Sequence, residues 1–169
     1  AAKESGLKKG TPVIVGTGDS TAEAISVGLV ESGTVFFQYG SSMFYYYCVD
    51  RYVDDYVSAN GNGSLKGGKE FTIPGTFCIG DGTNAAGTLT RWVRDTFYEE
   101  ELKKERAGGE NAYAVMAREA AEVEAGSEGL IILPYIYGER SPIQDAKASG
   151  MLFGLKGTHT RKQINRAAL

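Results

Sequence analysis

Two glycine-containing turns, each beside a run of strand-forming residues, constrain the fold of this 169-residue chain most strongly. The first turn, residues 16–19, follows the apolar run at residues 11–15 and ends in the carboxylate of Asp19. The second turn, residues 40–42, separates two aromatic runs and offers small hydroxyls and unobstructed backbone N–H groups. A carboxylate that can accept a proton, together with a turn that can hold an anion, is the minimum equipment for phosphoryl transfer. Neither turn alone would indicate this chemistry.

Length and composition favour one domain, or one domain with part of another. The chain is 42% hydrophobic and 11% aromatic, which is enough to build a packed core. Its net charge is −3 and no stripe of Lys and Arg occurs, so we expect no nucleic-acid partner. No signal peptide and no apolar run of about 18 residues occur, so we expect a cytoplasmic protein without a membrane partner.

The cysteines and the histidine argue against metal chemistry. Cys48 and Cys78 lie in apolar, strand-like runs, which favours buried thiols over a disulfide, a metal site or a nucleophile. His159 is the one histidine, and the sequence contains neither a CxxC nor an HExxH motif. We therefore expect no transition-metal site.

Hydrophobic periodicity and turn residues predict an α/β chain with a mixed sheet and flanking helices. The predicted strands cover residues 11–15, 34–39, 43–49, 71–79 and 130–133, with a tight hairpin at residues 40–42. The predicted helices cover residues 19–30, 84–97, 99–106, 111–125 and 160–169, the last with a capping box formed by Thr160 and Gln163. The remaining predictions are a flexible loop at 58–69, a turn at 80–84 and an irregular segment at 134–150. Both ends resemble interrupted helices, which suggests a piece of a longer chain.

The two turns each allow a purely structural interpretation. Asp19 follows a strand and two glycines, where a ligand-binding carboxylate is expected, but Asp19 or Ser20 could equally cap the next helix. The turn formed by Gly40, Ser41 and Ser42 could be an anion-binding nest or only a hairpin turn. It is not a Walker loop, because no GxxxxGK[ST] motif occurs.

Two further segments stand out. Gly87 lies inside a helical pattern, where glycine costs about 1 kcal/mol relative to alanine, and this predicts close approach by a neighbouring helix or a flat ligand. Arg91 lies one turn later on the same face. Glu139 and Arg140 lie in a loop after the strand at residues 130–133, where an ion pair that pins the loop is the simplest interpretation.

Taken together and in order, these segments resemble the FGGY family of carbohydrate kinases, most closely its xylulokinase-like branch. The Gly-Thr-Gly-Asp segment at residues 16–19 and the Gly-Ser-Ser turn at 40–42 match the first two motifs of that family. An A-G-x-x-x-W-x-R-D-like segment follows at residues 86–95, then L-P-Y-x-x-G-E-R-x-P at 133–142 and G-x-x-F-G-L at 150–155. Each motif alone is weak, whereas their order is specific and covers nearly the whole chain.

The resemblance implies an incomplete actin-like (ribonuclease H-like) fold. Residues 1–30 would finish an N-terminal sugar-binding lobe and residues 31–169 would begin a C-terminal ATP-binding lobe. Members of the family are about three times as long as this chain. We therefore expect the isolated chain to be inactive, and the apolar surface at its interrupted ends would favour a homodimer.

The resemblance also implies roles for individual residues in an ATP-dependent, Mg²⁺-using kinase that phosphorylates a pentulose such as xylulose. Asp19 would be the catalytic base and would bind the sugar together with Ser20. The residues implied in nucleotide and phosphate binding are Gly40, Ser41, Ser42, Gly87 and Arg91. Ser41 stands where the family has threonine and keeps the hydroxyl. The main Mg²⁺-associated residues are expected outside this chain, and a non-catalytic actin-like nucleotide-binding or assembly module is the alternative.

Overall fold

The computed structural model describes residues 2–53, 69–141 and 143–169. The helices are α1 (Ala2–Ser5), α2 (Asp19–Ser26), α3 (Gly87–Phe97), α4 (Glu99–Arg106), α5 (Ala112–Ala121) and α6 (Arg161–Ala168), with a 3₁₀ turn at Ser127–Gly129. The strands are β1 (Val35–Tyr39), β2 (Met43–Val49), β3 (Lys69–Glu70), β4 (Phe77–Thr83), β5 (Ile131–Leu133) and β6 (Met151–Phe153). The predicted α/β class is confirmed. None of the helices in these ranges is long and apolar enough to cross a membrane.

The described strands form two antiparallel sheets rather than the one mixed sheet that the pattern suggested. The larger sheet has the order β1-β2-β4-β3, and the smaller pairs β5 with β6. The predicted hairpin at residues 40–42 is confirmed, since Tyr39 pairs with Met43 across it. Strand β6 was not predicted, because its three residues follow directly after an irregular segment.

The predicted strand at residues 11–15 is wrong. This segment has no regular secondary structure, and Val13, Ile14 and Val15 are 80%, 90% and 94% exposed. A strand needs a neighbour to pair with, and no described strand lies beside this segment. Its contact with the larger sheet comes further on, where the hydroxyls of Thr17 and Thr72 are 2.9 Å apart.

The predicted strand at residues 71–79 and turn at 80–84 are shifted. Residues 71–76 form a turn closed by a hydrogen bond from the Phe71 N–H to the Thr76 carbonyl at 2.9 Å, and β4 continues to Thr83. Gly80 and Gly82 were taken for turn residues, but they lie opposite Tyr46 and Phe44 in the ladder. A Cβ atom on Gly80 would be 2.4 Å from a carbon of the Tyr46 ring, so glycine here makes room for an aromatic side chain.

Three predicted helices are shorter than expected. α2 ends at Ser26 instead of residue 30, because Gly28 has a φ of +95° that a helix cannot continue through. α3 begins at Gly87 rather than 84, and α5 covers 112–121 within the predicted 111–125, with Asn111 as its N-cap. The helix at 99–106 and the capping box of Thr160 are confirmed. The predicted loop at 58–69 lies almost wholly outside the described residues.

Two apolar clusters hold these elements. In the first, α2 covers one face of the larger sheet, and its buried members are Ala24, Leu29, Cys48, Phe71 and Cys78. Both cysteines are buried and neither is in a disulfide, which confirms their predicted structural role. In the second, α3, the start of α4 and α5 pack through Val93, Tyr98 and Met116.

Arg161, the first residue of α6, ties the helices together. Its guanidinium donates to the carboxylates of Glu119 at 2.6 Å and Glu101 at 3.1 Å, and it lies 4.2 Å from the centre of the Tyr98 ring. The hydrogen bond from Arg161 holds the pKa of Glu101 below its ordinary value. Burial opposes the same effect at Glu119, but the hydrogen bonds from Arg161 and Tyr98 still lower the pKa of that carboxyl. Burial and the bond to Glu119 raise the pKa of Tyr98.

We expect Arg161→Met to lower the free energy of unfolding by about 2–3 kcal/mol, because it leaves two half-buried carboxylates without their cation. Chemical denaturation of the protein that carries the chain would measure this. Arg118→Met is the matched control, since Arg118 and its partner Glu110 are both more than half exposed, and it should cost less than about 1 kcal/mol. Equal losses in the two variants would contradict a special role for Arg161.

The lowered carboxyl pKa values also predict how this loss depends on pH. A carboxyl with a lowered pKa in the folded state adds stability above its unfolded pKa, and that stability disappears as pH falls through the folded pKa. The cost of Arg161→Met should therefore be largest near neutral pH and shrink as the pH falls below 4.5, the ordinary pKa of a glutamate carboxyl. A cost that stays constant from pH 7 to pH 3 would contradict this assignment.

Candidate functional site

The hairpin turn between β1 and β2 lies against the N-terminus of α3. The carbonyl oxygen of Ser41 accepts hydrogen bonds from the N–H groups of Ala86 at 3.1 Å and Thr88 at 3.0 Å, and from the Thr88 hydroxyl at 2.9 Å. The carbonyl oxygen of Gly40 accepts from the Gly87 N–H at 3.0 Å. Helix N-termini carry N–H groups without intrahelical partners, and here the turn supplies their acceptors. The structure thus brings together three of the predicted site residues, Gly40, Ser41 and Gly87.

This contact explains the glycine at position 87. A Cβ atom there would be 2.8 Å from the carbonyl oxygen of Gly40, closer than side chains tolerate. The predicted close approach is therefore present. Its partner among the described residues is the backbone of the hairpin turn, whereas we expected a helix or a flat ligand. Sequence reasoning could not identify this partner, because the two segments are more than forty residues apart.

The contact also limits how an anion could bind here. Since the N–H groups of residues 86–88 are already bonded to the turn, they are not available to a ligand. The hydroxyls of Ser41 and Ser42, in contrast, have no hydrogen-bond partner within the described part of the chain, and Ser41 is exposed. Arg91, one helical turn after Gly87, is also exposed. An anion would therefore meet the outer side of the turn, with its serine hydroxyls.

Asp19 is the first residue of α2 and is exposed. Its Oδ1 atom accepts a hydrogen bond from the N–H of Ser20 at 2.8 Å, and its Oδ2 atom has no hydrogen-bond partner in the described ranges. The N-cap of α2 is Gly18, which has no side chain, so the capping role considered for Asp19 or Ser20 is wrong. The carboxylate is left free for other chemistry.

Helix α2 connects Asp19 to the sheet that carries the turn. Glu23, one helical turn after Asp19, accepts a hydrogen bond from the side chain of Gln38 at 2.5 Å, and Gln38 lies two residues before Gly40. Tyr46 of β2 is on the same face of the sheet: burial raises its pKa, and the negative charge of Asp19 raises it further. Asp19 and the turn are thus attached to one sheet through neighbouring strands.

The loop after β5 reaches the other end of this arrangement. Glu139 is only 2% exposed, and its carboxylate accepts hydrogen bonds from the Thr83 hydroxyl at 2.5 Å, the Asn84 N–H at 3.1 Å and the Arg140 N–H at 2.7 Å. The Arg140 guanidinium instead donates to the Thr83 carbonyl at 3.4 Å. The expected ion pair between Glu139 and Arg140 is therefore wrong, and a carboxylate with neutral donors pins the loop.

A cavity of about 520 Å³ lies beside this anchor. Its lining combines Phe44 of β2 and the Gly80–Gly82 stretch of β4 with Tyr137, Arg140 and Gln144 of the loop. No three His, Cys, Asp or Glu side chains in the described ranges come together as a metal site.

Comparison with known proteins finds a family and several relatives that match this chain. The model of the C-terminal domain of the FGGY family of carbohydrate kinases matches residues 38–169. The chain is 29% identical to the gluconokinase of Bacillus subtilis (strain 168), over 98% of the chain and 31% of that protein. It is 30% identical to the xylulose kinase of Staphylococcus epidermidis (strain ATCC 12228 / FDA PCI 1200), over 99% of the chain and 31% of that protein.

Solved structures of xylulose and gluconate kinases match the chain as well. The crystal structure of xylulose kinase from Rhodospirillum rubrum matches with a TM-score of 0.75 at 30% identity, covering 99% of this chain and 30% of that one. The crystal structure of gluconate kinase from Lactobacillus acidophilus matches with a TM-score of 0.72 at 26% identity, covering 99% and 31%. The chain therefore spans about a third of the length of the proteins it matches.

The contact between the turn and α3 makes Gly87→Ala a specific test. The added Cβ should push the Gly40 carbonyl away and break the hydrogen bonds of residues 86–88, so their amide hydrogens should exchange about tenfold faster or more. Hydrogen–deuterium exchange with mass spectrometry would measure this. Gly157→Ala is the control, because no atom lies within 4 Å of a Cβ at that position. Unchanged exchange at residues 86–88 in Gly87→Ala would contradict the contact.

Proposed function

Since the chain belongs to the FGGY family of carbohydrate kinases, we propose that it is part of an enzyme that transfers a phosphoryl group from ATP to a sugar hydroxyl. The favoured acceptor is a pentulose such as xylulose, because xylulose kinases occur among the relatives and the solved structures that match the chain. Gluconokinases and ribulokinases match as well, so the sugar acid gluconate and the pentulose ribulose are the competing acceptors.

The observation that carries the proposal is the hairpin turn held against α3. In phosphoryl transfer the protein mainly positions the phosphates and stabilises their charge. A turn whose carbonyls are fixed on a helix keeps its outer hydroxyls and N–H groups in one place. Ser41 and Ser42, with Gly40 allowing close approach, would then hold ATP phosphates. Gly87 and Arg91 would line the nucleotide pocket on the α3 side.

Asp19 has the properties required of a general base. Its exposed carboxylate, with the Oδ2 atom uncommitted within the described residues, can accept a proton from a sugar hydroxyl as that oxygen attacks phosphorus. The N–H of Ser20 orients the carboxylate through Oδ1, and Asp19 and Ser20 together would contact the acceptor. The proton then resides on Asp19, and ADP leaves with the electrons of the broken bond between oxygen and phosphorus.

The residues of this chain fit ATP better than they fit a metal ion. Bound ATP supplies the γ-phosphoryl group, and the free serine hydroxyls and exposed Arg91 are suited to its phosphates. Magnesium requires oxygen ligands, usually carboxylates and phosphates, and no cluster of three acidic side chains lies within the described ranges. We therefore expect the main Mg²⁺-associated residues in the part of the kinase outside this chain.

In the complete protein, Asp19→Asn should lower kcat by about 10²–10⁴-fold while the KM for the sugar changes little, because the amide keeps the shape but accepts no proton. The measurement is ADP release with a panel of xylulose, ribulose, gluconate and glycerol.

Xylulose should give the highest kcat/KM with the wild-type protein in the same assay. The isolated 169-residue chain should show no sugar-dependent ATP turnover.

Glu23→Gln is the matched control, since it changes a neighbouring carboxylate of α2 that is already bound to Gln38. It should leave kcat within about threefold of wild type. Near-normal turnover in Asp19→Asn would refute its role as base. ATP binding without stimulation by any sugar in the wild-type protein would favour the alternative, a non-catalytic actin-like nucleotide-binding or assembly module.

A further inference from the structure

Glu139 is a buried carboxylate that the proposed chemistry does not use. It is 2% exposed and belongs to a loop more than forty residues after α3 begins. Its three hydrogen-bond donors are a hydroxyl and two backbone N–H groups, and no Lys, Arg or His of the described residues forms an ion pair with it. Burying a carboxyl group is costly unless its oxygens find hydrogen-bond partners, and here the three donors supply them.

Two of the three donors lie at one junction of the fold. Thr83 is the last residue of β4, and Asn84 begins the link to α3. Two residues after Asn84, the N–H groups of residues 86–88 begin to hold the carbonyls of Gly40 and Ser41. The Glu139 carboxylate is thus connected to the turn by its hydrogen bonds to Thr83 and Asn84, the backbone of residues 84–86 and the hydrogen bonds of residues 86–88.

The other side-chain hydrogen bonds of the link are longer than those to Glu139. The Ala85 N–H donates to the Thr83 hydroxyl at 3.4 Å, the Thr88 hydroxyl donates to the Asn84 carbonyl at 3.3 Å, and the Asn84 side chain reaches the Tyr137 carbonyl at 3.5 Å. The N-cap residue Ala86 has no side chain able to cap α3. Glu139 therefore supplies the shortest side-chain hydrogen bonds that reach this junction from outside α3 and the turn, at 2.5 and 3.1 Å. Without the Glu139 carboxylate, residues 84–86 would still connect β4 to α3, but they would lose the hydrogen-bond acceptor that fixes the direction of the backbone there.

We propose that Glu139 is a positioning residue for the phosphate-binding turn: by fixing the link between β4 and α3, it places the start of α3 where residues 86–88 can hold Gly40 and Ser41. The role proposed for Glu139 is positional and requires no contact with ATP or sugar. The proposal rests on the proposed function in one respect, namely that the turn binds ATP phosphates. The positioning itself is independent of catalysis.

Two substitutions separate the carboxylate's hydrogen bonds from its size. Glu139→Gln keeps one carbonyl oxygen for the two backbone N–H groups and places an amide opposite the Thr83 hydroxyl, which can rotate to accept. Glu139→Met has a similar length but accepts no comparable hydrogen bond, so three donors lose their partner. Both variants are made in the complete protein.

The readouts are the KM for ATP, the KM for the sugar, and amide exchange at residues 84–88. Glu139→Met should raise the KM for ATP about tenfold, and speed exchange at residues 84–88 by at least that factor, while the KM for sugar stays within about twofold. Glu139→Gln should remain within about threefold of wild type in all three readouts.

Glu119→Gln is the control for a merely structural effect. It weakens the Arg161 cluster, which contacts α3 at Phe97, the opposite end of that helix from the turn, and should lower the melting temperature without changing the KM for ATP. If Glu139→Met does not fold, Thr83→Val decides, because it removes one donor to Glu139 with little change in shape. It should change the KM for ATP and the exchange at residues 84–88 in the same direction, by about two- to threefold.

Wild-type exchange at residues 84–88 in Glu139→Met, or equal rises in both KM values, would overturn the proposal. If no sugar stimulates the wild-type protein, the proposed function fails, but the exchange experiment still decides whether Glu139 positions the turn. Faster exchange at residues 84–88 with an unchanged KM for ATP would support the positioning of the link and overturn its importance for the phosphates.

Discussion

The arrangement of the candidate site depends on one interaction, the bonding of a hairpin turn to the start of a helix. A helix begins with N–H groups that have no partner, and the carbonyls of Gly40 and Ser41 satisfy those of α3. The interaction requires a glycine at position 87, because any side chain would meet the Gly40 carbonyl. This interaction therefore joins the larger sheet to α3 and determines which side of the turn faces outward.

The packing of α4, α5 and α6 depends on a different kind of interaction. Arg161 joins α6 to Glu101 of α4 and Glu119 of α5 through charged hydrogen bonds, and the Tyr98 ring lies beneath its guanidinium. These groups fix the positions of α4, α5 and α6 relative to one another. Since the turn contacts α3 and the Arg161 cluster also reaches α3 through the Phe97 carbonyl, α3 is the element on which both depend.

Features encoded by neighbouring residues could be predicted from the sequence, and features encoded by distant contacts could not. The capping box of Thr160 and the hairpin at residues 40–42 depend on residues close in sequence, and both are confirmed. Gly80 and Gly82 were assigned to a turn, because glycine usually marks one, whereas here they accommodate the ring of Tyr46 and the backbone of β2. For the site, the close approach at Gly87 was predicted but its partner was not. The roles of Asp19 and Ser41 stay predictions.

The contacts explain why motifs that are weak separately are informative together. Residues 40–41 bond to residues 86–88, and residues 83–84 bond to Glu139, so hydrogen bonds and the short backbone link at residues 84–86 connect three of the sequence motifs. The motif that contains Asp19 is attached through α2, where Glu23 binds Gln38 close to the turn. A glycine, a serine or a glutamate at one of these places has many explanations. Together these residues depend on one another. The start of α3 holds the turn through hydrogen bonds, and Glu139 holds the link that precedes α3.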